Sequence, residues 1–267
     1  MGDNIYVHGH HESVLRSHTW RTIENSAKYL ETYLTPESRL LDVGCGPGTI
    51  TLDFAEKLNA GSVIGIDTSE DIIEKALEGV STPDRKNCSF KVGNAYNLDF
   101  DDNSFDIVHA HQVLQHLKDP IAAIQEMRRV VRPGGIVAIC DADYGGMIWS
   151  PASPKLNDWM QIYQEMTSQN NVEANAGRFL FSWVSQIHFT SISVSSSTWT
   201  FATPEMREWW GELWAERIQK STFSEEVLRL GLADQEKLEG LSDAFRHWAN
   251  QPDGFFLVPH GEILALK

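Results

Sequence analysis

The segment Asp42-Val-Gly44-Cys-Gly46-Pro-Gly48-Thr sets three glycines at alternate positions between an apolar run and a helical pattern. Glycine lets a backbone touch a ligand and adopt turns closed to other residues. The crevice outside the carboxyl ends of parallel strands is where sheets of this kind bind ligands. About twenty residues on, Asp67 ends the next apolar run, placed for its carboxylate to accept hydrogen bonds from two ribose hydroxyls. A nucleoside is therefore expected. A dinucleotide fingerprint starting at Gly44 would want glycine at position 49, where Thr49 stands. Asp42 lies where a pyrophosphate would approach the helix N-terminus, and an acid there opposes an anion. The loop thus predicts a cationic nucleoside, and S-adenosylmethionine has the required character: adenosine, a sulfonium, an ammonium and no phosphate.

Further chemistry-bearing residues follow the later apolar runs. His111 and Gln112 come after the fourth, and His116, four residues beyond Gln112, is expected on the same helical face near the mouth of the sheet. An imidazole there suits a general base at neutral pH, with packing or capping as the plainer role. Asp141 and Asp143 end the fifth run, where one of them can touch a substrate or steer a proton. His8, His10, His11 and Glu12 have the side chains of a transition-metal site, but no fixed element sets their geometry. A polar terminus or lid contact is the preferred reading, and no metal is expected. Cys45 could be a reactive thiol at a helix N-terminus, but its small size in a close-approach loop favours a backbone role.

These residues need a scaffold, and the pattern supplies one. Short β-type runs at Arg39 to Val43, Ser62 to Ile66, Cys88 to Val92, Phe105 to His109 and Gly135 to Cys140 alternate with helical patterns at Gly48 to Leu58, Glu70 to Glu78 and Pro120 to Val131. That alternation is the sequence form of a parallel sheet covered on both faces. Ahead of it, Ser17 to Leu34 reads as one covering helix with Trp20, Ile23, Ala27, Leu30 and Leu34 on a single face.

Behind it the texture changes, with eight of nine tryptophans falling from Trp149 onward. Helices are expected at Ala176 to Phe189, Pro204 to Lys220, Ser224 to Leu230 and Gln235 to Asn250, a strand at Ser191 to Thr198, and a last strand from Gly254 to Ala265 returning to the sheet edge. Trp149, Trp159 and Trp183, with Phe179 and Phe181, could line an apolar acceptor cavity; the plainer reading is ordinary core. The expected whole is an α/β, Rossmann-like seven-stranded, mostly parallel sheet with helices on both faces, an N-terminal covering helix and a helical insertion. It forms one domain over 1–267: cover 1–38, cofactor-binding core 39–143, lid helices and final strands 144–267.

Composition limits the partners. With 37 acidic against 22 basic residues, the formal charge is −15, and polyanion binding would need a basic patch working against the global field. Three scattered cysteines make neither a disulfide framework nor a metal knuckle and suit a reducing compartment. The first residues are neither basic nor apolar, and no run approaches the roughly 18 apolar residues of a membrane span. A soluble, cytoplasmic protein with no membrane and no nucleic-acid partner is expected.

The motifs together resemble the class I S-adenosylmethionine-dependent methyltransferases, in their ubiquinone-biosynthesis-like small-molecule branch. The matching pieces are Leu40 to Gly48, Val63-Ile-Gly-Ile-Asp67, Asn103 to Val108, Val113-Leu-Gln-His-Leu117 and Val131-Arg-Pro-Gly-Gly135, within a resemblance that runs from Tyr6 to Asp143. The resemblance implies that Gly44, Cys45 and Gly46 line the methionine part, Asp67 holds the ribose, and Thr68 and Ile72 flank the adenine. Asn94, where relatives often carry an acid, and Ala95 would meet the adenine amino group, since an amide oxygen accepts the same hydrogen bond. His111 and Gln112 would line the methionine end, Arg21 would take its carboxylate, and Tyr6 and His18 would make neighbouring contacts.

The resemblance also implies methyl transfer to a small molecule; from the residues' own positions, His116 is the candidate catalytic group and Asp141, Trp149 and Trp159 are candidate acceptor contacts. The tail from Trp199 to Ile263 resembles the fungal thiomethylating members that cap gliotoxin-type dithiols, which points to S-methylation in secondary metabolism. O- or C-methylation of a phenol or quinone is the alternative. From other classes, a nicotinamide oxidoreductase would share the fold and Asp67, and a nucleoside-binding subunit would bind without turnover. The run after the fourth strand, His111-Gln-Val-Leu, lacks the Asn/Asp-Pro-Pro-Tyr of amino-methylating nucleic-acid enzymes.

Overall fold

A computed structural model describes residues 12–79 and 86–267. Five apolar runs form parallel strands: β1 (Arg39–Val43), β2 (Ser62–Asp67), β3 (Cys88–Val92), β4 (Phe105–His111) and β5 (Val131–Ala142). Adding β6 (Ile148–Ser150), β7 (Ser191–Phe201) and β8 (Phe255–Leu266) gives an eight-stranded sheet in the order β3-β2-β1-β4-β5-β8-β6, with β7 on the other side of β8. Seven strands were expected. The eighth is the three-residue β6, too short to leave a periodic signal, which pairs with the start of β8 at Trp149 against Phe256. β8 runs antiparallel to both β5 and β7. The order reverses between β1 and β4, and the resulting crevice is the topological switch point where such sheets bind ligands.

Helices start where the sequence caps them. α2 (Thr49–Lys57) follows Gly48, α3 (Glu70–Glu78) is capped by Ser69, and α4 (Pro120–Val130) by Asp119 with proline in its first turn. Later come α5 (Pro154–Gln169), α6 (Ala176–Val184), α7 (Pro204–Lys220), α8 (Thr222–Arg229) and α9 (Gln235–Ala249). One sheet face packs Leu41, Val108 and Ile139 against α4 and α6; the other packs Leu40, Ile107 and Ala138 against α2, α3 and the N-terminal cover. A third core, rich in tryptophan, lies among α5, α7, α9 and the ends of β7 and β8.

The single covering helix expected over 17–34 is broken. α1 (Glu12–Thr19) ends before Trp20, a π turn follows at Ile23–Ala27, and a 3₁₀ segment at Lys28–Tyr33. The reason is local. Thr22 and Asn25 form a reciprocal capping box, the Asn25 amide also donates to the Trp20 carbonyl at 3.0 Å, and these bonds compete with a continuous helix. The apolar spacing was still meaningful, because Ile23, Ala27 and Leu30 are buried against the sheet. Helix α6 likewise stops at Val184, five residues before the expected end, where Ser185 and Gln186 turn the chain toward β7.

Candidate active site

The glycine loop is built by its neighbours. Cys45 donates its N–H to the Ile66 carbonyl at 2.9 Å and accepts from Gly48 at 3.1 Å, which ties the loop to β2. Gly48 caps α2 at φ +85°, and a Cβ there would come within 2.4 Å of the Phe90 ring, so no side chain is tolerated. Gly46 also has a left-handed φ of +56°, but its missing Cβ would meet nothing nearer than His18 Nδ1 at 3.5 Å. Its backbone is therefore bare toward the cavity, as a close ligand requires.

Asp67 is positioned from both sides. One carboxylate oxygen accepts from the Gly46 N–H and the other from the Ser69 N–H, each at 3.1 Å. Behind the loop, Asp42 is buried with one oxygen 2.7 Å from His109 Nδ1 and the other accepting from the Thr51 hydroxyl at 2.5 Å. The acid read from the sequence as opposing a phosphate is therefore a fixed part of the floor. Cys45 is no activated nucleophile: burial, then Asp42 and Asp67, push its thiol well above the ordinary range.

One cavity runs from this loop across the ends of β2, β3 and β4. Its wall includes His18, Arg21, Gly44, Cys45, Gly46, Asp67, Thr68, Ile72, Asn94, Ala95, His111, Gln112 and His116. Of the expected cofactor-binding residues only Tyr6 is missing from this set, because it lies outside the described residues, as do His8, His10 and His11. The Asn94 side-chain oxygen accepts from the Tyr96 N–H at 2.9 Å, which orients the amide and leaves a second lone pair. Sequence reasoning passed over Tyr96, Val113 and Leu117, apolar or aromatic wall residues with no chemical signature of their own.

Gln112 and His116 both reach the cavity, but not as neighbours on one helix face. Gln112 has a left-handed backbone, φ +53°, and only a 3₁₀ turn at Leu114–His116 follows it. Burial, with Arg21 and Arg217 adding, takes His116 to a pKa of about 3. At neutral pH its ring is an uncharged, weakly basic acceptor, not the near-neutral base that the sequence suggested. His111 is also buried, its two ring nitrogens have no hydrogen-bond partner among the described residues, and burial, then Arg21 and three histidines, hold it well below the ordinary imidazole range.

The expected acceptor contacts do not line this cavity. Asp141 is buried under the turn after β4, accepting from the Gln115 N–H at 3.2 Å, and burial raises its pKa to about 7. Trp159 is fully buried, edge-on to Trp214 at 4.5 Å and to Phe245 at 5.0 Å, and Trp149 stacks on Phe256. Trp183 stacks on Phe179 at the surface of α6. Asp143 holds Arg178 through both carboxylate oxygens. The correction has one cause: a tryptophan-rich sequence cannot distinguish a ligand wall from a core, and here helices α5, α7 and α9 close on one another.

The bare backbone at Gly46, the oriented Asp67 and the acid beneath the turn together fit a nucleoside that carries positive charge and no phosphate. Comparison with known proteins agrees with this fit. A family model described as a methyltransferase domain matches residues 34–216. An uncharacterized methyltransferase of Schizosaccharomyces pombe is 34% identical over 270 residues, covering 98% of this chain and 96% of the relative. A protein of Aspergillus luteorubrus named "Probable methyltransferase ltbC" is 28% identical over 99% of this chain and 98% of its own length. Among solved structures, the YcgJ protein from Bacillus subtilis has the same fold at a TM-score of 0.58, with 19% identity over 90% of this chain and 97% of that one. The chain belongs to the methyltransferase domain family and is a class I S-adenosylmethionine-dependent methyltransferase.

Proposed function

We propose that this methyltransferase S-methylates a small thiol, with dithiol natural products of the gliotoxin type as the acceptor class. The bound cofactor would supply an electrophilic methyl on a sulfonium, open to in-line displacement by a nucleophile. Gly44, Cys45 and Gly46 would line its methionine part through backbone atoms, with His18 beside them and Arg21 on the carboxylate. Asp67 would hold the ribose hydroxyls, Thr68 and Ile72 the faces of the adenine, and Asn94 with Ala95 its amino edge. The protein's share is alignment of two bound partners.

The observation that carries the thiol reading is the state of the imidazoles facing the cavity. His111 and His116 are both held neutral and weakly basic, so the site favours an acceptor that ionises readily. A thiol with pKa of about 8.5 is a few per cent thiolate at neutral pH, whereas a phenol near 10 or an alcohol is far less ionised. His116 and His111 would accept a hydrogen bond from the incoming group and orient it. Incubation with methyl-labelled cofactor and either reduced gliotoxin or a quinol decides the matter. A methylthio product is expected, and exclusive labelling of the quinol would overturn the thiol reading while leaving the cofactor reading intact.

A further inference from the structure

Three elements far apart in sequence meet behind the cavity: the N-terminal cover, the end of β4 and the middle of β8. Arg21 donates from Nη2 to the Gln112 side-chain oxygen at 2.6 Å, and the Gln112 side-chain nitrogen lies 2.8 Å from His260 Nε2. The donor inventory fixes this chain. A guanidinium only donates, so the amide oxygen must face Arg21 and the amide NH₂ must face His260. His260 Nε2 must then be the acceptor, which requires a neutral ring carrying its proton on Nδ1.

The surroundings enforce that state. His260 is buried, its ring tilted at 53° against Trp199 with centroids 4.4 Å apart, and burial with Arg21 takes its pKa to about 3 although the Val258 carbonyl pulls the other way. Arg21 lies over the same Trp199 ring at 5.7 Å. Gln112 holds its left-handed backbone with its N–H on the Cys140 carbonyl at 2.7 Å. A non-glycine residue kept at positive φ is strained and persists only where the surroundings over-determine it. Here it aims the amide between the two partners.

We infer that His260 is a positioning residue which, through Gln112, sets the guanidinium of Arg21 in the wall of the cofactor cavity. The inference rests on the reading that Arg21 receives the cofactor carboxylate. His260 itself does not line the cavity and touches no reacting group. It acts by offering a hydrogen-bond acceptor of fixed polarity, which keeps the amide from turning over and presenting its NH₂ to the arginine. Nothing in the local sequence Val258-Pro-His-Gly marks it, because its partner lies 148 residues away.

The test is a cycle of variants of the full chain titrated calorimetrically with S-adenosylhomocysteine, which keeps the carboxylate and needs no turnover. Arg21→Ala should weaken binding about tenfold or more, and His260→Leu about three- to tenfold, within the cost of an unsatisfied buried polar group. His260→Gln, whose side-chain oxygen can accept at the same reach, should bind within about twofold of the parent. The combined Arg21→Ala/His260→Leu variant should be no weaker than Arg21→Ala alone. Full additivity, or a Gln variant as weak as the Leu variant, overturns the inference. Gln112→Leu should show the same non-additivity and serves if His260→Leu does not fold. Nitrogen-15 spectra of His260 read the relay separately: a neutral ring protonated at Nδ1 is expected at pH 7, and an Nε2–H tautomer or an imidazolium overturns the relay. If instead Arg21→Ala binds like the parent while the Nδ1–H tautomer is seen, the carboxylate reading fails and the relay stands.

Discussion

The two halves of this molecule use buried side chains in opposite ways. Around β1, β4 and the cover, the apolar core also takes in a set of polar side chains: Asp42, His109, His111, Gln112 and His260 lie under residues 20–30, each buried or half-buried. Among α5, α7 and α9 the interior is aromatic, with Trp159, Trp210, Trp214, Phe245 and Phe256 in contact. The difference teaches where chemistry is held. Burying polar groups costs free energy unless they are paired, so a cluster of them beside a cavity marks a site, whereas a cluster of aromatic rings marks stability. The half that looks conspicuous in sequence, with its tryptophans, is the structural one.

The sharpest break of this comparison is Trp159→Ala. Truncating a fully buried tryptophan should cost about 3 to 5 kcal/mol of stability, read by urea unfolding, with S-adenosylhomocysteine affinity unchanged in the fraction that remains folded. An affinity loss at constant stability would place Trp159 in the site after all.

The second prediction concerns pH. His116 and His260 have folded pKa values of about 3 against an ordinary 6.5, so below pH 6.5 the unfolded chain binds protons that the native state refuses. Their contribution is complete above pH 6.5 and is lost as pH falls toward 3. Asp141, raised to about 7 from 3.8, works the other way: its buried carboxyl prefers to be protonated, and its penalty grows as pH rises through that window. Stability should therefore fall as pH drops from 6.5 to 4, and His116→Gln should remove roughly 1 to 3 kcal/mol of that slope. An unchanged slope would show that the ring is not buried neutral.

Third, Asp67→Ala should weaken cofactor binding by roughly 1 to 3 kcal/mol, from unpaired ribose hydroxyls and the freed Gly46 and Ser69 amides. Unchanged affinity by calorimetry would put the ribose elsewhere. The smallest effect is expected at Phe181, which is 53% exposed on α6: Phe181→Ser should stay within about 0.5 kcal/mol in stability and leave the rate of methyl transfer unaltered. A marked rate loss would make that face part of the acceptor site.

Much of this was legible in the residues. The five parallel strands and their helices follow from runs whose apolar spacing matches one element and no other, and the limits of β1, β3, α3 and α7 agree with the sequence reading to the residue. The loop was legible because φ values such as those of Gly46 and Gly48 leave glycine the favoured residue. The break after Trp20 was not, because it turns on whether the Thr22 and Asn25 side chains win against helix propagation. His116 was found, but for a helical spacing that does not exist. His260 was missed because its role is defined only by Gln112.

The sequence by itself determined the parallel strands with their helices, the glycine turn and the acid at the end of β2, since each leaves a local pattern of apolar period, glycine spacing or residue type. Tertiary structure decided which aromatic rings are core, how basic each histidine is, and what Gln112 and Arg21 hold. Those properties depend on burial and on partners brought together from 91 and 148 residues away, and desolvation by distant chain segments leaves no local pattern.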